Sequence, residues 1–177
     1  MVRTKFSTPT SSEYAEYYEN YISRFSPPEF LPAFEAQIDE LNNMFGSLPA
    51  GEDSKPHDPY TWTLKQLMGH LIDCERIFST RLLRIAANDP TPIPGMEQNI
   101  YVDNLDYETV TMSDLLAEFE HLRRSNVLLA KRLTPESLEN MGTASDAAVS
   151  AKANLFILGG HVVYHAEIAR RRLGLDT

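Results

Sequence analysis

The sequence predicts an all-α protein, most simply a four-helix bundle with one long crossover between its second and third helices. Four long segments repeat apolar residues every three or four positions, which is the period of a helix that buries one face. No segment sustains the two-residue alternation of a half-buried strand. With 177 residues, the chain is expected to form a single domain, residues 1–177, with a substantial core.

The first half of the chain contains two of the long helices. One is predicted from about residue 32 to 44, with Pro32 in its first turn, where a missing amide hydrogen is tolerated. A shorter helix is expected before it, at about residues 13–24, and a proline pair separates the two. Residues 46–61 contain three prolines and two glycines and therefore predict a loop. The second long helix follows from about residue 63 to 87.

The second half begins with a connection of unusual length. Residues 88–112 carry three prolines and one glycine, and so long a connection in a small domain is often functional, here as a cover for a site. The third helix is expected to begin with Ser113 as its N-cap and to stop before the next proline. A weaker segment follows at about residues 136–150. The fourth helix is predicted over about residues 151–173, with Gly174 as its stop.

The composition argues against several classes of function. The chain has 25 acidic and 16 basic residues, a net charge of −9, so it should repel a phosphate backbone and bind no nucleic acid. Its single cysteine, Cys74, excludes an intramolecular disulfide and fits a reducing compartment. The sequence has neither an apolar run of about 18 residues nor the apolar core of a secretory signal. We therefore expect a cytoplasmic protein without a membrane partner.

The best clue to function is a pair of histidines one turn apart, His161 and His165, on the fourth helix. At this spacing two imidazoles project from one helical face, as two ligands of one metal ion would. Together with His70 on the second helix, they predict a three-histidine metal site; hydrogen-bonded core histidines are the alternative. Gly159 and Gly160 precede the pair, and because mid-helix glycine costs about 1 kcal/mol, they indicate a packing notch or open space beside the site.

Other polar residues are assigned by their positions. Asp73 follows His70 by three residues, where it either orients an imidazole or simply faces water. Cys74 is predicted to be a small core thiol, neither a metal ligand nor a nucleophile. His57 in a polar loop and His121 off the apolar stripe are predicted to lie at the surface.

Four runs of residues together carry a resemblance to a known family. They are residues 60–64 (YTWTL), 69–76 (GHLIDCER), 88–95 (NDPTPIPG) and 159–165 (GGHVVYH). With them, the chain resembles the DinB-like family of metalloenzymes, which is related to YfiT-type thiol transferases. The resemblance covers about residues 30–175 and leaves residues 1–29 as a short N-terminal extension.

The resemblance implies a four-helix bundle of up-down-down-up topology that often forms a homodimer. It also implies a divalent metal ion, zinc or nickel, bound by three histidines that match His70, His161 and His165. Many members carry a further histidine directly before the last ligand, where this chain has Tyr164. That position is not a ligand in the family, so the departure leaves the predicted site intact.

Three neutral imidazoles with an open fourth position are typical of a catalytic rather than a structural metal site. An ion there either lowers the pKa of a bound water or binds a thiolate. The leading hypothesis is therefore a metal-dependent enzyme that transfers a low-molecular-weight thiol or hydrolyses a small substrate. A non-catalytic metal-binding protein, serving in stress response or dimerisation, is the alternative, and a bundle without any metal is a third possibility.

Overall fold

The computed structural model describes residues 5–175, and helices account for most of it. In chain order they are α1 (Glu19–Ile22), α2 (Phe30–Phe45), α3 (Leu64–Ala86), α4 (Gln98–Asn104), α5 (Met112–Lys131), α6 (Pro135–Glu139) and α7 (Ala151–Leu173). The four long helices pack together: α3 lies between α5 and α7, and α2 covers α5 and α7. Their apolar faces meet in two buried clusters, as the helical periodicity predicted. In the part of the chain described, no helix is both long and apolar enough to cross a membrane.

Side-chain caps set the ends of the long helices. Thr63 begins α3 with a reciprocal capping box, and the hydroxyl of Ser150 accepts a bond from the third residue of α7. Gly174 ends α7 in the left-handed conformation, at φ 65°, so both predicted ends of this helix are confirmed. The predicted N-cap of α5 was wrong by two residues, because the Thr111 side chain, not that of Ser113, accepts a hydrogen bond from a backbone amide of the first turn.

The segments between the helices hold structure that the sequence did not predict. The 88–112 connection contains α4, and the weak 136–150 segment holds α6 and an antiparallel hairpin of β1 (Met141–Ala144) and β2 (Ala147–Ser150). The all-α prediction was therefore wrong for these two short strands. Ser145 and Asp146 form the two-residue turn at φ 53° and 60°, which matches the twist of the paired strands.

The N-terminal segment is less helical than expected. The helix predicted at 13–24 is replaced by two 3-10 turns, Ser11–Glu13 and Glu16–Tyr18, followed by the four-residue helix α1. Despite its short elements the segment is fixed to the bundle, since α1 packs along α7. It covers a part of α7 that is buried on all sides.

The glycine pair of α7 explains how this segment comes so close. A Cβ atom on Gly160 would lie 2.0 Å from the carbonyl oxygen of Tyr21, and one on Gly159 would lie 2.3 Å from the ring of Phe25. No side chain fits at either position. Glycine lowers the stability of the helix relative to alanine, but it allows this close backbone contact. Of the alternatives raised by the sequence, the structure shows a packing notch.

A buried ion pair joins all four long helices. The guanidinium of Arg123 on α5 donates to Glu75 Oε1 on α3 and to Gln37 Oε1 on α2, each at 2.5 Å. Arg123 also donates to the carbonyl of Leu158 on α7 at 3.4 Å, and the Gln37 amide donates to the carbonyl of Gly159 at 2.8 Å. Both charges are almost fully buried. Such a pair is costly to break, because the remaining charge stays desolvated.

We expect Arg123→Met to lower the free energy of unfolding in urea by about 3–5 kcal/mol, because it leaves the Glu75 carboxylate buried and unpaired. The double variant Arg123→Met/Glu75→Leu should recover most of that loss. Arg124→Met is the matched control: Arg124 is half exposed and pairs with Glu120, so its loss should cost under about 1 kcal/mol. Equal losses for the two single variants would contradict a special role for the buried pair.

Candidate metal centre

Three histidines from two helices meet inside the bundle. His70 comes from α3, and His161 and His165 come from one face of α7, where their four-residue spacing stacks the rings one turn apart. One ring nitrogen of each lies within 4.8 Å of the others, and the ring centroids are 4.5–5.0 Å apart. All three side chains are buried. The structure thus brings together the three histidines that the sequence singled out.

Burial keeps these imidazoles neutral. It lowers the pKa of His70 to about 4 and that of His165 to about 3, the latter with a smaller contribution from His70. The pKa of His161 is also well below its ordinary value, through burial first and its two neighbours second. A neutral ring has a free lone pair, which is the form that binds a metal ion.

The separations also fit a metal ion. His70 Nε2 and His161 Nε2 are 3.1 Å apart, close to the roughly 3.3 Å between two nitrogens that bind one tetrahedral zinc. The same distance suits a hydrogen bond, so this pair alone would also be explained by core histidines. His165 makes the difference, because its ring has no hydrogen-bond partner in the described residues 5–175. The ring borders a cavity and its nitrogens are not among the fully enclosed unpartnered atoms, so an external ligand can reach it.

Asp73 and Cys74, the other candidates nearby, lie at different places relative to the cluster. Asp73 accepts a hydrogen bond from the Tyr107 hydroxyl at 2.5 Å, so this carboxylate anchors the crossover, and its pKa is raised mainly by burial. In the described chain it makes no hydrogen bond to an imidazole. Cys74 Sγ lies 3.7–3.8 Å from the His70 ring nitrogens, and burial raises its thiol pKa far above the ordinary value. It is therefore a protonated thiol beside the cluster.

The remaining two histidines differ in their surroundings. His121 is exposed, as predicted. His57 is only partly exposed, since its ring bonds Glu52 at 2.6 Å and Arg172 at 3.1 Å. Neither ring belongs to the three-histidine cluster.

Two small cavities reach the cluster from different sides. The first, of about 100 Å³, borders His70 and His161, and the second, of about 130 Å³, borders His165. The other residues that line the first cavity are Tyr17, Tyr18, Tyr21, Cys74, Phe78, Arg81, Met96, Gln98 and Ser145. They come from the N-terminal segment, α3, the crossover and the hairpin turn. The crossover thus contributes two side chains to the cavity wall.

Sequence reasoning did not identify most of these wall residues. Arg81 carried a signal that could have been used, since it follows His70 by 11 residues, which is three helical turns and nearly the same face of α3. The three tyrosines of the N-terminal segment carried no comparable signal, because they lie on a 3-10 turn and on the four-residue helix α1, which are too short to show a helical period.

Comparison with known proteins agrees with this geometry. The model of the DinB superfamily matches residues 33–169. The chain belongs to the DinB superfamily. The matched range contains all three clustered histidines, whereas the tyrosines of the N-terminal segment precede it.

A solved structure supports the fold of this DinB-superfamily chain. YfiT from Bacillus subtilis, described as a probable metal-dependent hydrolase with an unusual four-helix bundle topology, superposes with a TM-score of 0.75. The match covers 96% of this chain and 94% of that one at 16% sequence identity, so it establishes a shared four-helix bundle. The comparison with curated proteins gave no significant match.

We expect the metal-free protein to lose stability as the pH falls from about 6.5 toward 4. In that window the histidines are protonated in the unfolded chain but neutral in the folded one, so the unfolded state takes up more protons. Above about pH 6.5 the histidines are neutral in both states and leave the free energy of unfolding unchanged. As the pH falls, each histidine lowers that free energy by up to about 1.4 kcal/mol per pH unit.

Urea unfolding at a series of pH values would measure this slope. His165→Asn should flatten it, because one buried imidazole is removed, whereas His121→Asn at the surface should leave it unchanged. Identical slopes in the wild type and the His165→Asn variant would show that burial does not hold this ring neutral.

Proposed function

We propose that this DinB-superfamily chain is a divalent-metal-dependent enzyme acting on a small molecule, with His70, His161 and His165 as the metal ligands. The observation that carries the proposal is the convergence of three buried, neutral imidazoles, one of which has no hydrogen-bond partner among the described residues. Imidazole ligands suit zinc and nickel, and we propose that the bound ion is one of these two metals. A homodimer and a cytoplasmic location remain predictions of the sequence.

The composition of the cluster supports a catalytic role over a structural one. It consists of three nitrogen donors, whereas a structural zinc site has four protein ligands, often with cysteine. Cys74, the nearest sulfur, is held as a protonated thiol by burial and would not close the site. A cavity borders two of the histidines and leaves room for a small molecule. These features disfavour the alternative of a purely scaffolding metal.

The surrounding side chains hold the imidazoles in place and limit the access of water. The rings of Tyr21 and Phe78 pack edge-on against His161, with centroids 5.3 and 5.4 Å away. Trp62 lies 5.2 Å from His70. This aromatic enclosure fixes the ring orientations and lowers the local dielectric, which strengthens electrostatic interactions with a bound substrate.

Hydrolysis of a small substrate is the reaction we propose first. A divalent ion bound by neutral ligands would supply Lewis-acid chemistry. YfiT, the structural relative, is described as a probable metal-dependent hydrolase, and its fold matches over nearly the whole chain. Transfer of a low-molecular-weight thiol is the second reaction, which the sequence resemblance to YfiT-type transferases favours.

The metal proposal predicts about one divalent ion per chain by elemental analysis after gentle purification. His161→Ala and His165→Ala should each abolish retention, because the two remaining nitrogens bind too weakly. Cys74→Ser should retain the ion, since we place the thiol outside the ligand set, and His121→Ala should retain it as a surface control. Full occupancy in the double variant His161→Ala/His165→Ala would overturn the ligand assignment.

Cobalt substitution would separate the two reactions. For a thiol transferase, a small thiol such as 2-mercaptoethanol should add near-ultraviolet charge-transfer bands, release a proton and bind more strongly as the pH rises. A hydrolase should instead cleave activated small esters at full rate without thiol and lose that activity on chelation. Ester cleavage that survives chelation and the His165→Ala substitution would contradict metal dependence.

A further inference from the structure

One buried guanidinium beside the metal centre has no compensating charge. Arg81 on α3 is 3% exposed. Its three hydrogen bonds go to neutral acceptors: the Ser145 hydroxyl at 2.9 Å, the Pro94 carbonyl at 3.2 Å and the Tyr18 hydroxyl at 3.4 Å. Among the described residues no carboxylate oxygen lies within 4.0 Å of it. A guanidinium has five N–H groups, so two remain unused. Nε is one of them, as it is in Arg123 and Arg172, so the missing countercharge rather than Nε distinguishes Arg81.

The same bundle treats its other fully buried arginine differently. Arg123 is neutralised by Glu75 at 2.5 Å. Removing a cation from water costs several kcal/mol, and an opposite charge or a bound anion normally offsets that cost. Arg81 is therefore buried without a carboxylate partner of the kind that stabilises Arg123. A buried arginine without a countercharge is expected where a bound ligand supplies the negative charge.

Arg81 faces the space where a substrate of the metal centre would lie. It lines the 100 Å³ cavity together with His70 and His161. The ring of Phe78 contacts both groups: its centroid is 5.4 Å from the His161 ring and 5.4 Å from the Arg81 guanidinium carbon. The cavity holds only a few heavy atoms, since one water needs about 10–15 Å³ of such space. A ligand bound here reaches the guanidinium and the histidines together.

We propose that Arg81 binds a carboxylate of the substrate, so that the metal centre acts on small carboxylate-bearing molecules. The planar fork of a guanidinium matches the two oxygens of a carboxylate. The cavity lining contains neither a lysine nor a second arginine, which a more highly charged phosphate would favour. The claim that this molecule is a substrate rests on the proposed metal-dependent function, but the binding of the anion itself does not require the ion.

A structural clamp is the competing explanation, because Arg81 touches both the crossover and the hairpin turn. Backbone bonds already join these two segments, from Ile93 to the Thr143 carbonyl at 2.9 Å and from Ser145 to the Ile93 carbonyl at 3.0 Å. The clamp is therefore redundant. If Arg81 serves a ligand, replacing it should leave the fold as stable or more stable, since an uncompensated buried charge is removed.

The test follows the Nε–H signal of Arg81 by nuclear magnetic resonance in metal-free protein, with acetate as the probe and acetamide as its neutral analogue. Acetate should shift the signal saturably and acetamide should not. Arg81→Gln should identify the signal by its loss and weaken acetate binding, measured calorimetrically, by at least about tenfold. Arg76→Gln, which removes an exposed arginine of the same helix, should not weaken it. Arg81→Lys, which keeps the charge but loses the fork, should bind acetate several-fold more weakly than the wild type.

The outcomes separate this inference from the proposed function. Loss of acetate binding in Arg81→Gln with unchanged metal content and thermal stability supports the inference. It is overturned if acetate and acetamide shift the signal equally. It is also overturned if Arg81→Gln does not fold and the wild-type protein shows no response to acetate. If acetate binds through Arg81 but the protein retains no metal, the proposed metal function fails and the anion site stands. The wild-type titration keeps the inference testable even where the variant does not fold.

Discussion

The ion pair between Arg123 and Glu75 is the constraint on which the rest of the structure depends. It lies where all four long helices approach one another. Arg123 donates to the carbonyl of Leu158, and Gln37, which accepts from Arg123, donates to the carbonyl of Gly159, two residues before His161. An apolar core tolerates sliding of one helix past another, because dispersion contacts have little directional preference. A buried, hydrogen-bonded ion pair does not, since a shift would leave a desolvated charge unpaired. The register that brings three histidines together is therefore set by polar contacts one turn away.

The long helices and the histidine cluster could be predicted from the sequence because their signals are local. Apolar periodicity, a good cap and a terminal glycine define α7 to the residue, and a four-residue spacing places His161 beside His165. The hairpin was missed because its strands are rich in alanine and glycine and its turn is Ser-Asp rather than Asn-Gly. Glu75 carried a usable signal, since it follows Ile72 and precedes Phe78 by three residues on the apolar stripe, whereas a charged residue type by itself gives no indication that Arg123 is buried.

The cavity could not be predicted by the same reasoning. Its walls come from segments that are far apart in the chain, and most of those segments lack regular structure, so no period records which side chains converge. Tyr21 illustrates the difficulty: its position depends on Gly160, about 140 residues away, where a single added carbon would exclude it. A local pattern can indicate that a glycine is unusual, but the identity of the group that occupies the space is a property of the folded molecule.

The helices supply the three histidines and the connections supply much of the cavity wall, and this separation has an evolutionary consequence. The clustered histidines lie on the packed helices α3 and α7, whereas much of the cavity wall belongs to the N-terminal segment, the crossover and the hairpin turn. Of these, the N-terminal segment lies outside the range that matches the superfamily. Connections tolerate insertion and replacement far better than packed helices do. A lineage can therefore change the molecules that it recognises by remodelling these connections while the helices that carry the three histidines persist.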